Sequence, residues 1–175
     1  MCIRDSYFLG HGQPVSENPS PGNIAGGITT LEEKSLGCIQ KGGRAPVKQI
    51  AGYGESAQQG LGGLCLVQAP GNDGVSATAL AVSGAHCVLF TTGRGTPLGV
   101  PVPTLKIASN HSLAERKPGW IDFDAGRLLD PGTDPDAVTD DLMKLILDVA
   151  SGRKPARNEV NGFREITIWK QGVTL

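Results

Sequence analysis

The chain has 175 residues, with 25 glycines, 12 prolines, 5% aromatic side chains and a net charge of -1. That length matches one domain of ordinary size, able to bury a core without disulfide or metal staples. Its glycine and proline content stays below that of a disordered low-complexity chain, and no collagen-like triplet appears. The two halves are both close to neutral, with no basic cluster of the kind a phosphate backbone requires, so nucleic acid is excluded as an expected partner. No apolar run approaches the roughly 18 residues of a membrane-spanning helix, and no basic region followed by a hydrophobic stretch opens the chain. Cys2, Cys38, Cys65 and Cys87 are scattered without a C-x-x-C pair. Buried, inert thiols in a reducing cytoplasm are the expectation.

Residues 1–27 show no hydrophobic period, and HGQPVSENPSPGNIAGG (11–27) reads as loop. Residues 1–6, MCIRDS, read as a non-native leader, which leaves 7–175 as the domain proper. Thr30 and Glu33 form a T-x-x-E capping box for a helix whose face carries Leu31, Leu36 and Ile39, stopped by Gly42-Gly43. The short apolar runs 64–68, 87–91 and 102–109 read as strands of a parallel sheet covered on both faces. An alanine-rich helix over 75–86 supplies the crossover between the first two. A later helix is capped by Asp134, opens with Pro135 and carries Val138, Leu142, Leu145, Ile146 and Val149 on one face, with Gly152 at its end. FREITIWK (163–170) alternates like an edge strand. The order predicts an α/β fold: a Rossmann-like, open, mainly parallel sheet with flanking helices behind a long N-terminal loop segment.

Three polar loops leave the predicted strands at their carboxyl ends: 69–74, 91–99 and 109–112. In an open parallel sheet those ends border the ligand crevice. Thr91, Thr92 and Arg94 suit an anion, because glycine-rich backbone amides can turn inward and a guanidinium grips a carboxylate with two bonds. A tight turn built on the same glycines explains the loop equally well. The loop misses the dinucleotide spacing by one residue, and no P-loop is present. His11, His86 and His111 each read as structural or solvated residues, with His86 expected to be buried. Glu32-Glu33-Lys34 offers an acid or base, although acidic residues favour a helix N-terminus anyway. Asp122 and Asp124 serve either as metal ligands or as a polar strand face.

Four segments taken together carry a resemblance: 17–43, 69–80, 89–99 and GFREITIWKQGVTL (162–175). They resemble the carboxyl-terminal domain of the altronate/galactarate dehydratase family, which includes the large subunit of sulfolactate sulfo-lyase. The resemblance implies upstream domains of the same protein, absent from this chain, and an isolated fragment with little or no turnover. It implies a hydro-lyase of hexuronate catabolism that dehydrates D-altronate to 2-dehydro-3-deoxy-D-gluconate, with Fe(II) or another divalent cation as cofactor and unassigned metal ligands. By the same resemblance Glu33 and Lys34 take the catalytic or metal-supporting role. Asn18, Asn23, Thr91, Thr92, Arg94 and Thr96 bind the sugar acid, and Lys106 and Asn110, by their place at the third strand, are expected to face the same crevice and join them. A small-molecule sugar acid, the missing domains and a homo-oligomer are the implied partners, without nucleic acid or membrane. The alternatives are a related lyase acting on galactarate or sulfolactate, and a non-catalytic α/β module for anion binding or dimerisation.

Overall fold

The computed structural model describes Ser6, residues 9–12, Pro19 and residues 21–169. Asn18, residues 1–5 of the expected leader and the last six residues lie outside the described ones. The chain divides into two compact units, Met1–Pro46 and Val47–Leu175.

In the first unit, a short helix α1 (Pro21–Ala25) interrupts what the sequence presents as continuous loop. Helix α2 (Leu31–Lys41) follows. The Thr30 hydroxyl accepts a hydrogen bond from the Glu33 amide at 3.2 Å, as the capping pattern predicts. The reciprocal half differs: the Glu33 carboxylate accepts from the amide and hydroxyl of Thr29, one residue earlier than a strict capping box. None of the residues of α2 is buried.

The second unit holds two short parallel sheets. Strand β1 (Val47–Ala51) pairs with β2 (Leu64–Val67), and β3 (Val88–Thr92), β4 (Thr104–Ala108) and β5 (Phe123–Asp124) form a three-stranded sheet in that order. Helix α3 (Asp73–Val82) joins β2 to β3. The expected crossover helix is therefore present, but it connects strands of two different ladders. Every residue of β4 is buried, as the near-continuous apolar run predicts for a strand covered on both faces. Leu105 packs with Leu145, Val149 and Ala156, while Ala108 packs with Leu113 and Ile121. Burying each leucine stabilises the unit by about 1.5–3 kcal/mol.

Helix α4 (His111–Arg116) follows β4, and a 3-10 turn (Gly126–Leu129) follows β5. Helix α5 (Pro135–Ala150) begins where the sequence predicts: the Asp134 carboxylate accepts from the Asp136 amide at 3.0 Å. Val138, Leu145 and Val149 form its buried face. Helix α6 (Arg157–Val160) closes the order.

Three expectations fail. Residues 163–169 join no ladder; the Glu165 amide bonds to the Gly99 carbonyl, and the Thr167 and Trp169 amides bond to the hydroxyls of Thr78 and Tyr53. Side-chain acceptors replace a strand partner, so alternation alone was a false signal. The described cysteines are free, but Cys38 is exposed and Cys65 and Cys87 are only half-buried; Cys2 lies outside the described residues. Cys38 lies on α2, which has no buried residue. His86 is exposed as well, because it precedes the first buried position of β3.

Candidate functional site

The carboxyl ends of β3, β4 and β5 lie abreast, with Thr92 opposite Ala108 and Ala108 opposite Asp124. The loops that leave these ends meet. The Asn110 side-chain amide donates to the Gly93 carbonyl at 3.1 Å, while its carbonyl oxygen caps α4 by accepting from the Leu113 amide at 2.9 Å. The Gly95 amide donates to the Thr92 hydroxyl at 2.9 Å. Gly95 itself has φ +81°, and a Cβ there would sit 2.7 Å from Leu113. Glycine is thus required on both backbone and packing grounds. Lys117 donates to the Arg94 carbonyl at 3.3 Å, which leaves the exposed Arg94 side chain at the rim.

The parallel sheet therefore brings Thr92, Arg94, Thr96 and Asn110 to one end, where open sheets of this kind bind ligands. Thr91 is exposed one residue earlier on β3, and the Thr96 hydroxyl accepts from the Leu98 amide at 3.3 Å.

Lys106 is placed differently. Its side chain is buried within the middle strand, and its Nζ lacks a hydrogen-bond partner among the described residues. Burial pushes the amine below its ordinary range, against the opposing pull of Asp122 and Glu165.

At the same sheet end stands a cluster that single-residue reasoning on the sequence missed. The His111 Nδ1 lies 2.6 Å from Asp124 Oδ2, and Nε2 lies 2.9 Å from both carboxylate oxygens of Asp130. The hydrogen bonds from Asp124 and then Asp130 raise the imidazole above its usual value of 6.5. Asp124 is fixed by a second bond, its Oδ1 accepting from the Gly126 amide at 2.8 Å. Asp122 and Asp124 have separate partners: Asp122 accepts from the amides of Lys106 and Arg157, both at 2.8 Å, and Asp124 meets His111 and the Gly126 amide. Asp130 sits nineteen residues beyond His111, and only the return of the chain through β5 unites them. No linear spacing announces that.

In the first unit, Asn23, Ile28, Glu33, Lys34, Cys38 and Lys41 line part of a cavity of about 470 Å³. Three sequence-predicted site residues thus share one wall. The Thr29 amide, its hydroxyl and then the Thr30 amide hold Glu33 below the ordinary carboxylate range. Capping α2 thus favours the ionised form of a group that any carboxylate would already adopt at neutral pH.

Among the described residues, no three His, Cys, Asp or Glu side chains converge on a point that suits a metal ion. Both nitrogens of His111 are already taken by carboxylates. These residues do not by themselves fit a divalent cation.

Comparison with known proteins decides the family. The model of the family described as D-galactarate/Altronate dehydratase, C-terminal, matches residues 3–174. The chain belongs to this family. It is 52% identical to altronate dehydratase of Bacillus subtilis and 53% identical to that of Escherichia coli, in each case over 97% of the chain. Galactarate dehydratase (L-threo-forming) of Escherichia coli is 39% identical over 86% of the chain. The chain spans 33% of the length of either altronate dehydratase and 28% of the galactarate enzyme. Within the family, the match covers both the α2 cavity residues and the loops at the sheet end. Among the described residues, no helix is long and apolar enough to cross a membrane.

Proposed function

We propose that this chain is the carboxyl-terminal part of a cytoplasmic hydro-lyase that converts D-altronate to 2-dehydro-3-deoxy-D-gluconate. The observation that carries this reading is the graded similarity: 52–53% to two altronate dehydratases against 39% to the galactarate enzyme. A fourth relative, subunit beta of a (2R)-sulfolactate sulfo-lyase from Chromohalobacter salexigens, stands at 32% over 86% of the chain.

The reaction is a β-elimination. A base removes the C2 proton, the C–H electron pair becomes the C2–C3 double bond, and the C3 hydroxyl leaves as water after protonation. The resulting enol becomes the 2-keto acid. A proton beside a carboxylate is weakly acidic, so the developing negative charge needs cationic and hydrogen-bond donors placed in advance. Arg94, with Thr91, Thr92 and Thr96, supplies donors of that kind for the substrate carboxylate and hydroxyls, while Asn110, bonded to the Gly93 carbonyl and the α4 cap, holds the loop that presents them. Lys34 and Glu33 take the proton-transfer role at the α2 cavity, with Asn23 beside them. Glu33 is ionised and so accepts a proton rather than giving one, although its capping bonds make it a weaker base than a free carboxylate.

The divalent cation belongs to the same reading, as a Lewis acid with ligands drawn from outside the described residues. The upstream part found in the longer relatives completes the enzyme, and a homo-oligomer is its proposed assembly.

The test uses the full-length gene product that carries this chain, supplied with Fe(II). D-Altronate, galactarate and sulfolactate are offered separately, and formation of the keto acid is followed. Altronate is expected to have the highest kcat/KM. Faster turnover of galactarate or sulfolactate would replace the substrate and keep the lyase class.

A further inference from the structure

We propose that His111 is the acid that protonates the departing C3 hydroxyl, with Asp124 as its positioning residue and Asp130 as a counter-ion that leaves Nε2 when substrate binds. This rests on the dehydratase reading above and assigns one of the two proton transfers that it requires.

Place comes first. His111 directly follows Asn110, which ties the β4 loop to the Gly93 carbonyl beside Arg94. The imidazole therefore stands at the same sheet end as the proposed carboxylate-binding loop.

The two ring nitrogens are held unequally. Nδ1 faces Asp124, whose side chain is 29% exposed and which is anchored on β5 and by the Gly126 amide. Nε2 faces Asp130, which is 49% exposed and lies on the loop after the 3-10 turn. The backbone around the inner contact has no slack. A Cβ on Gly126 would lie 2.5 Å from the His111 backbone nitrogen and 2.7 Å from Asn110 Cα. Close approach of the two chain segments thus sets the Asp124–His111 distance. One carboxylate orients the ring and the other covers its working nitrogen. An exposed ion pair contributes little to stability, so the outer one is readily exchanged for substrate.

Protonation state fits an acid. The charged groups acting on the ring are Asp124 of β5 and Asp130 of the following loop, and both favour the imidazolium. Among the neighbouring cations, Arg116 turns to the Ser112 carbonyl and Lys117 to the Arg94 carbonyl. In the step itself the C3–O bond breaks and its electron pair stays on oxygen. Nε2–H passes its proton to that oxygen, and water departs. The ring remains as neutral imidazole with Nδ1–H donated to Asp124. Proton uptake from solvent resets it.

The experiment compares wild type, His111→Gln and Asp130→Asn in the full-length protein, using altronate and its 3-deoxy-3-fluoro analogue. Fluoride needs no strong acid to leave, so it separates acid catalysis from support of the fold. His111→Gln is expected to lose at least about 100-fold in kcat on altronate. On the fluoro analogue its kcat stays within a few-fold of wild type. Asp130→Asn is expected to move the alkaline limb of kcat/KM to lower pH, because one of the two carboxylates holding the proton is gone. Equal losses on both substrates, or full altronate turnover by His111→Gln, overturn the proposal while leaving the dehydratase intact. If wild type turns over neither altronate nor the other two acids, the parent reading falls and this one with it.

Discussion

The ammonium nitrogen of Lys106 lies 5.5 Å from the centre of the Phe163 ring, joining the middle strand of the sheet to the unpaired carboxyl-terminal segment. The ring face offsets part of what the buried amine loses in leaving water. It does not replace a hydrogen bond, and Nζ has none among the described residues. Because the folded amine is depressed below 10.5, the protein is less stable where Lys106 must be charged. Stability recovers as pH rises through the lowered value. Lys106→Met keeps the length of the side chain and removes the stranded charge. It should raise unfolding free energy by about 1–3 kcal/mol at pH 7, read as a higher urea midpoint. A lower midpoint would show that the amine has a partner that matters.

Asn158 makes the opposite case. It is buried and accepts from the Thr104 amide at 2.8 Å, while its side-chain amide donates to the carbonyls of Val100 and Phe163. Asn158→Ala strands a buried amide at the start of the central strand and should cost about 2–3 kcal/mol. Asn161→Ala, which removes one exposed bond to the Gly119 carbonyl, should cost about 0.5–1 kcal/mol. Denaturant titration of the two variants should rank them in that order. Equal losses would contradict it.

The doubly paired imidazole predicts a pH dependence of definite sign. Its folded value is raised above 6.5, so its contribution is fully present below pH 6.5 and is lost as pH climbs through the folded value. Wild type should therefore exceed His111→Asn in melting temperature by more at pH 6 than at pH 9. A gap that stays constant across that range would mean the ring is held by packing alone.

Arg94 offers the most direct kinetic test of the loop at the sheet end. Lysine keeps the charge but loses the planar two-bond geometry. In the full-length protein Arg94→Lys should raise KM for altronate roughly tenfold, the worth of about one charge-assisted hydrogen bond. Unchanged kinetics would remove Arg94 from the substrate.

Helix α5 was legible because three local signals agreed: Asp134 at the cap, Pro135 in the first turn and an apolar face at helical spacing. Strand β4 was legible because burial on both faces leaves an almost unbroken apolar run. Strand β1 was missed, since Lys48 and Gln49 interrupt its apolar residues and its register with β2 is irregular between Val47 and Gln49. For the sheet-end site, sequence reasoning reached Thr92, Arg94 and Asn110 because strand ends carry their loops to one side. It could not reach the pairing of His111 with Asp130, which depends on where the chain returns after β5. Glu33 was legible as a cap; any second role for it depends on chemistry that spacing does not encode.

The edge-to-face contact between Tyr53 and Trp169, with ring centroids 5.8 Å apart at 86°, makes the carboxyl-terminal segment observable by light. The Trp169 amide donates to the Tyr53 hydroxyl, so the indole lies close to its phenol neighbour only while that segment is docked. The sequence has two tryptophans, and the other, Trp120, lies 4.4 Å beneath the Lys117 ammonium beside the Arg94 loop. Replacing either with phenylalanine leaves a single tryptophan, excited selectively at wavelengths where tyrosine does not absorb. One version reports release of the tail, and the other reports movement at the mouth of the sheet, with no dye attached.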